Sequence, residues 1–382
     1  MSMESPVGIG AHVRQILSSA GYGRYYLAFG DGNLRLLGWR MHAWKLPEPL
    51  KSLVRLFLLT EPVEADGVRR VLGKAAFDVL SARGVLRFQG QDVCTDGYIL
   101  ILFQSLFLFI RCAREPRVYF GCDSMALATW QTRAPGGRTL DLCAGSGVQA
   151  MLAALYARRV EAVEADPTAA SIARLNVVLN GLDDKVRIIE APLEHAVTGR
   201  GRFDVITANP PFEPTPPELA GPLFASGGLD GLSVVQRIME RYLPRLKRNG
   251  VLEFVGIGLG KHRDYRFAHR LQALGRRQGA SGDVWITGKE RLVSGATYYD
   301  SLVAAFSVYN RRPIMECYRL CKAHWRRLDV NELYLYRARF QPCPAQLDRS
   351  MRVTDLSGTR CQWFVPGSPE DFGSAKILRA DK

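Results

Sequence analysis

No run of this sequence is long and apolar enough to cross a bilayer. The most apolar stretch, Tyr98–Ile110, is short and contains Gln104, so it reads as two buried strands broken at Gln104–Ser105. The segment from Met1 to Ile16 is polar and mixed, which does not fit an export signal. CxxC is absent from the eight cysteines, Cys94, Cys112, Cys122, Cys143, Cys317, Cys321, Cys343 and Cys361, and their spacing pairs none of them. Free thiols and a reducing compartment follow, with the cytoplasm as the expected location. Cys317, Cys321 and His324 share helical spacing, but no fourth ligand accompanies them, so helix packing is expected and a metal is not. Internal repeats are missing, and so is GxGxxG, which excludes the usual dinucleotide fingerprint.

What is present is ordinary globular chemistry. The 382 residues are 47% hydrophobic and 23% charged, enough for a core in each of two domains. The net charge of +14 is uneven. Residues 137–258 sum to −1 and residues 259–382 to +10. A basic surface of that kind suits an anionic partner such as nucleic acid, or an acidic small molecule.

Three segments are expected. Residues 1–117 read as a small α+β, winged-helix-like domain. Leu50–Leu59 and Lys74–Ala82 are its helices; Val85–Phe88 and Asp92–Cys94 form a hairpin around Gly90-Gln91. The second helix carries few basic groups, so packing is its expected role. Residues 118–310 read as α/β, a doubly wound parallel sheet. Strands are expected at Arg138–Leu142, Val160–Glu164, Lys185–Glu190, Phe203–Ala208, Val251–Ile257, Asp283–Thr287 and Ser301–Tyr309. Helices are expected at Gly147–Tyr156, Thr168–Leu179 and Ser233–Leu246. Residues 311–382 read as a basic extension or cap, with Arg311, Arg312, Arg319, Lys322, Arg326 and Arg327 interleaved with Tyr318, Trp325, Tyr334 and Tyr336.

Two motifs carry chemistry. Asp141-Leu142-Cys143-Ala144-Gly145-Ser146-Gly147 ends a strand and opens a helix, where glycines let backbone approach a ligand. The next strand ends in Glu164, an acid suited to accepting ribose hydroxyls. The second motif is Asn209-Pro210-Pro211-Phe212 at the end of the fourth strand. Two prolines stiffen the turn and remove two donors, leaving carbonyls free to accept. An acceptor NH2 can donate to Asn209 Oδ1 and to the Pro210 carbonyl, and Phe212 offers a face for a flat group.

The first loop resembles motif I of the class I S-adenosylmethionine-dependent methyltransferases, usually DxGxGxG. Cys143 stands where the first glycine is common, and Ala191 where an acid often holds the adenine amine. The tetrapeptide resembles that of the amino-group N-methyltransferases: the release-factor glutamine, ribosomal RNA guanine-N2 and DNA adenine-N6 enzymes. Ala225-Ser226-Gly227-Gly228-Leu229-Asp230-Gly231-Leu232 resembles a stretch that follows the tetrapeptide in the first two of these groups, and Phe120-Gly121-Cys122-Asp123-Ser124-Met125-Ala126-Leu127-Ala128-Thr129 resembles the segment preceding motif I, which lies over the cofactor. Glu164 precedes Asn176 by the family spacing.

The resemblance, which covers about Val118 to Tyr309, implies a seven-stranded Rossmann-like class I fold with S-adenosylmethionine as cofactor and S-adenosylhomocysteine as product. It implies cofactor contacts from Asp141, Cys143, Ala144, Gly145, Gly147, Gln149, Glu164, Ala165, Ala191, Pro192 and Asn209, and catalytic roles for Asn209, Pro210, Pro211 and Phe212. The implied reaction is methyl transfer to an amino or amide nitrogen. RNA is the first expectation for the acceptor, on the basic C-terminal third and its aromatics. A small metabolite, enclosed by the cap, and a protein glutamine amide are the alternatives. A non-catalytic scaffold is the rival of another class; it would not need an intact Asn-Pro-Pro-Phe. Neither a membrane nor a metal is expected as a partner.

Overall fold

The computed structural model describes residues 6–29, 42–111, 117–196, 201–344, 350–357 and 363. Cys112 and Cys361 lie outside the described residues, as does all of the expected C-terminal extension after 357 except Trp363.

The N-terminal unit begins with α1 (Pro6–Ser19) and α2 (Tyr22–Phe29), followed by α3 (Leu50–Phe57). Leu53, Val54, Leu56 and Phe57 make the buried face of α3. Then come β1 (Val63–Glu64), α4 (Ala65–Leu72), α5 (Lys74–Ala82), β2 (Arg87–Gln89) and β3 (Asp92–Cys94). Glu64 caps α4 by accepting from the Gly67 N–H, which satisfies one of the unpaired donors of the first turn. Strands β1, β3 and β2 form a small antiparallel sheet. The apolar stretch is a separate hairpin, β4 (Tyr98–Phe103) and β5 (Leu106–Arg111), turning through Gln104 and Ser105 with φ of 46° and 70°.

The larger unit follows as α6 (Cys122–Trp130), β6 (Arg138–Leu142), α7 (Val148–Ala154), β7 (Arg159–Glu164), α8 (Pro167–Leu179), β8 (Val186–Glu190), β9 (Phe203–Ala208), α9 (Ser233–Tyr242) and β10 (Leu246–Gly260). It continues as α10 (Arg266–Arg277), β11 (Ala280–Arg291), α11 (Thr297–Asn310), α12 (Ile314–Arg327), β12 (Glu332–Pro342) and β13 (Met351–Asp355). One sheet holds eight of these strands, in the order β13-β11-β12-β10-β9-β6-β7-β8. β8, β7, β6, β9 and β10 are parallel; β12 runs antiparallel between β10 and β11. The order reverses at β6, the place where an open α/β sheet leaves a crevice beyond its strand ends.

Three expectations are corrected here. Ser301–Tyr309 is helix, not strand: Tyr299, Leu302, Val303 and Phe306 are buried at helical spacing on α11, and they face α12 and Leu259. The strand that fills the sheet is β12, so a boundary at residue 310 would cut through the domain. β13 adds an eighth strand, parallel to β11, to the expected seven.

The two units share one core. Residues of α1, α3, α5, β4 and β5 pack with Ala150, Met151, Ile172 and Leu175 of α7 and α8. Polar side chains lock the joint. Asn176 accepts from the Phe109 N–H at 2.8 Å and donates to the Phe109 carbonyl at 3.0 Å. It also donates to the Ser146 carbonyl at 2.9 Å, which ties the hairpin to the glycine loop. Asn180 makes the same pair of bonds to Phe107, at 3.0 and 2.7 Å. Buried amides so fully paired stabilise rather than cost.

Candidate active site

Beyond the ends of β6, β7, β8 and β9 lies a cavity of about 440 Å³. Its floor is the loop after β6. Cys143, Gly145 and Gly147 all have positive φ, of 58°, 54° and 81°. Three left-handed residues in five fold the loop tightly, and its N–H groups are spent on holding that fold, Ala144 on the Val163 carbonyl at 3.0 Å and Gly147 on the Ala144 carbonyl at 2.8 Å. A Cβ on Gly145 would meet nothing nearer than the Tyr119 carbonyl at 3.8 Å, so its surface opens on the cavity.

Glu164 stands across from the loop. Its carboxylate accepts from the Gly145 N–H at 2.7 Å and from the Asp166 N–H at 2.8 Å. Burial raises its pKa, and the backbone N–H groups oppose that shift. Ala165, Ala191, Pro192 and Leu193 continue the wall, and the Ala191 N–H bonds the Glu164 carbonyl at 2.9 Å. Ala144 and Gln149 line the cavity; Gln149 donates to the Ser124 carbonyl at 2.8 Å, and its buried Oε1 has no partner. Cys143 also lines it, with a thiol held protonated by burial and by the charges of Glu164 and Asp141.

Two residues expected at the cofactor lie beneath the cavity instead. Asp141 is fully buried. It accepts from Thr207 at 3.0 Å and from the Ala150 N–H at 3.1 Å, and burial pushes its pKa up to about 7. It therefore ties β6 to β9 and to the first turn of α7. Gly147 is the N-cap of α7; a Cβ there would stand 3.3 Å from that of Ala173, so its role is packing.

The tetrapeptide forms the facing wall. Asn209 and Pro211 line the cavity, whereas Pro210 is buried behind them. Asn209 donates from Nδ2 to Asp123 Oδ2 at 2.7 Å and to Ser124 Oγ at 3.1 Å. Its Oδ1 is buried without a partner. Asp123 is itself buried, and its other oxygen accepts from the Tyr119 hydroxyl at 2.7 Å. Gly231 lies under the tetrapeptide, where a Cβ would come within 2.6 Å of the Phe212 carbonyl oxygen.

Phe212 does not take the expected place. It turns away from the cavity into a cluster with Val255, Ile257 and Leu335, its ring 5.4 Å from that of Trp363. A flat group entering the cavity meets other rings: Tyr119 and Phe224, stacked at 6.5 Å, with Tyr309 beside them. The C-terminal aromatics are likewise corrected. Trp325, Tyr334 and Tyr336 are buried in the core, and Tyr318 bonds Asp300 at 2.6 Å. Cys317 and Cys321 are core residues and His324 bonds the Leu229 carbonyl at 2.8 Å; no metal-binding group occurs among the described residues.

Sequence reading missed Tyr119, Glu194 and Arg237. Glu194 and Arg237 pair at 2.5 Å on the cavity wall, three residues past the position where Ala191 replaces the expected acid. Their pairing spans two elements, so no spacing announces it.

Does the cavity suit the implied cofactor? The open backbone at Gly145, the acid after β7 and the apolar Ala191-Pro192-Leu193 wall offer the close approach, acceptor and slot that an adenosine-bearing ligand needs. Sheet order and cradle together make a Rossmann-like α/β domain with the layout of the class I methyltransferase fold. Residues 123–268 match the methyltransferase small domain family, and residues 37–96 match a domain of unknown function (DUF7059).

Among similar proteins, the ribosomal protein uL3 glutamine methyltransferase of Bradyrhizobium diazoefficiens is 37% identical over 37% of this chain and 47% of its own. The tRNA1(Val) (adenine(37)-N6)-methyltransferase of Shewanella amazonensis is 36% identical over 26% and 46%. The release factor glutamine methyltransferase of Clostridium acetobutylicum is 32% identical over 31% and 45%. The chain thus spans less than half the length of each. No helix of the described residues is long and apolar enough to cross a membrane.

Proposed function

We propose that the chain transfers the methyl group of S-adenosylmethionine to an amino or amide nitrogen held by Asn209 and the Pro210 carbonyl, acting in the cytoplasm. The observation that carries this reading is Asn209, a residue of the cavity wall whose Oδ1 is a buried acceptor with no partner. A buried acceptor left unpaired costs about 1–3 kcal/mol, and an incoming N–H removes that cost. The cofactor supplies a methyl group already activated by its positive sulfur, so the chain needs no strong base. Its contribution is orientation and a fixed negative dipole where positive charge develops on nitrogen. Glu164 and the Gly145 loop are the proposed hold on the cofactor, with Gln149 and Ala191–Pro192 beside them.

For the acceptor, a polypeptide amide is the reading the cavity mouth supports best. Pro222, Leu223, Phe224 and Tyr309 surround the entrance, and Leu223 is 74% exposed. Both cations of the lining are paired, Arg117 with Asp166 and Arg237 with Glu194. An apolar entrance without free cations suits a loop of protein better than a phosphate backbone. RNA is the second reading. Arg311, before α12, and Arg319, Lys322 and Arg326, along it, are exposed and make no ion pair among the described residues.

The test is label transfer from tritiated-methyl S-adenosylmethionine into a host lysate, separated into protein, RNA and small-molecule fractions, with Asn209→Ala as control. Label in protein, lost in the variant, is the expected result. Label in RNA replaces the first acceptor reading with the second, and label in small molecules replaces both. Label that persists with Asn209→Ala contradicts the proposal.

A further inference from the structure

Asn209 can serve its proposed role only with its amide the right way round. Side-chain amides have two nearly isosteric ends, and the hydrogen-bond network chooses between them. Here the choice is made by one group. Asp123 sits at the start of α6, 3% exposed, with one oxygen 2.7 Å from Asn209 Nδ2 and the other 2.7 Å from the Tyr119 hydroxyl. An ionised carboxylate accepts and never donates. The NH2 end must therefore face Asp123, and Oδ1 is left buried and unpaired on a residue of the cavity wall. Ser124 Oγ, at 3.1 Å from the same Nδ2, can accept or donate and so does not decide the matter.

We infer that Asp123, steadied by Tyr119, is a positioning residue that fixes the Asn209 amide with its oxygen toward the acceptor. This rests on the function proposed above. Three segments converge to make the device: the stretch before α6, its first turn, and the turn after β9. Tyr119 also lines the cavity, stacked on Phe224, so one side chain both bounds the entrance and holds the carboxylate.

Ionisation is what the device depends on. Once protonated, Asp123 gains a donor and no longer dictates the amide. Burial raises its pKa, and the hydrogen bonds from Tyr119 and Asn209 oppose the shift. Glu213, next after Phe212, faces it as a second half-buried carboxyl, pushed up to about 7 by burial and then by the charge of Asp123. Cys122 also feels the Asp123 charge, and Tyr298 acts on Tyr119. Transfer should then fail on the acid side as Asp123 takes up its proton, and that limb should vanish from Asp123→Asn.

The experiment compares wild type, Asp123→Asn, Tyr119→Phe, Asn209→Ala and the Asp123→Asn/Asn209→Ala double variant. Initial rates of label transfer from tritiated-methyl S-adenosylmethionine into one lysate are measured across pH, and cofactor affinity is measured by calorimetry. Asp123→Asn is expected to lower the rate about 10- to 100-fold, and Tyr119→Phe about 3- to 10-fold, with cofactor Kd within about threefold of wild type. In the double variant, Asp123→Asn should cost less than about twofold beyond Asn209→Ala, because a residue acting through another adds nothing once that partner is gone.

A rate for Asp123→Asn within about twofold of wild type overturns the inference, as does an equal further loss on the Asn209→Ala background. If Asp123→Asn does not fold, Tyr119→Phe, which removes one hydroxyl, decides alone: a normal rate overturns. Should Asn209→Ala itself transfer normally, or wild type label nothing, the proposed function falls first. With Asn209→Ala inactive and Asp123→Asn normal, only the positioning role falls.

Discussion

At the ends of β6 and β9, paired in parallel from Thr139–Val205 to Leu142–Ala208, the chain makes two turns with opposite chemistry. The turn after β6 works with backbone. Positive φ at Cys143, Gly145 and Gly147 folds it tightly and leaves bare backbone at Gly145 on the cavity, and side chains matter little beyond being small. The turn after β9 works with a side chain on a backbone stiffened by Pro210 and Pro211. Its acceptor comes from Asn209 and is aimed by Asp123 and Tyr119 from another segment. A cradle of backbone tolerates substitution that fits the backbone angle; an aimed side chain tolerates almost none.

That contrast can be broken at several points. The largest expected effect is at Asn209. Asn209→Ala should lower methyl transfer about a hundredfold or more while cofactor affinity by calorimetry holds, since it removes an acceptor used on only one side of the cavity. Next comes Gly147→Ala. With φ at 81° and Ala173 at 3.3 Å from the new Cβ, it should cost about 1–2 kcal/mol or more in urea unfolding.

Asp141 sharpens the comparison through pH. Burial pushes its pKa up to about 7 in the folded chain, from an ordinary aspartate value of 3.8. The folded state therefore holds the proton more tightly, and this group's contribution to stability falls as pH rises from about 4 to 7. Asp141→Asn should flatten that part of the stability profile; an unchanged slope would assign it to other groups. The smallest effect is expected at Cys143→Gly. Glycine suits a φ of 58°, while its looser unfolded chain offsets the gain, so stability should move by less than about 1 kcal/mol and cofactor affinity should hold.

Much of this arrangement was legible because it is local. Strand β6 with its glycine loop, Glu164 at the end of β7 and the tetrapeptide after β9 are continuous stretches whose residue types announce their conformation. The hairpin at Tyr98–Arg111 was equally plain, since two apolar runs flank a polar pair. The failures arose where tertiary packing decides. Ser301–Tyr309 is rich in aromatic and β-branched residues, yet it lies on a helix because its apolar residues meet α12 at a 3.6-residue period.

β12 was hidden by its arginines. Arg337 and Arg339 lie over the Trp130 ring at 5.0 and 5.9 Å, and Arg339 pairs with the buried Glu253. Charged side chains so covered can sit in a strand, while Tyr334 and Tyr336 go to the core. The Asp123–Asn209 contact joins residues 86 apart in sequence, and only the fold brings them together.

The account rests first on the cavity being the cofactor site, and calorimetric titration of S-adenosylmethionine into wild type and Glu164→Ala tests that most directly. Saturable one-to-one binding by wild type, weakened in the variant by about 1–3 kcal/mol, is the predicted result. No binding by wild type, or the same affinity in both, would contradict it.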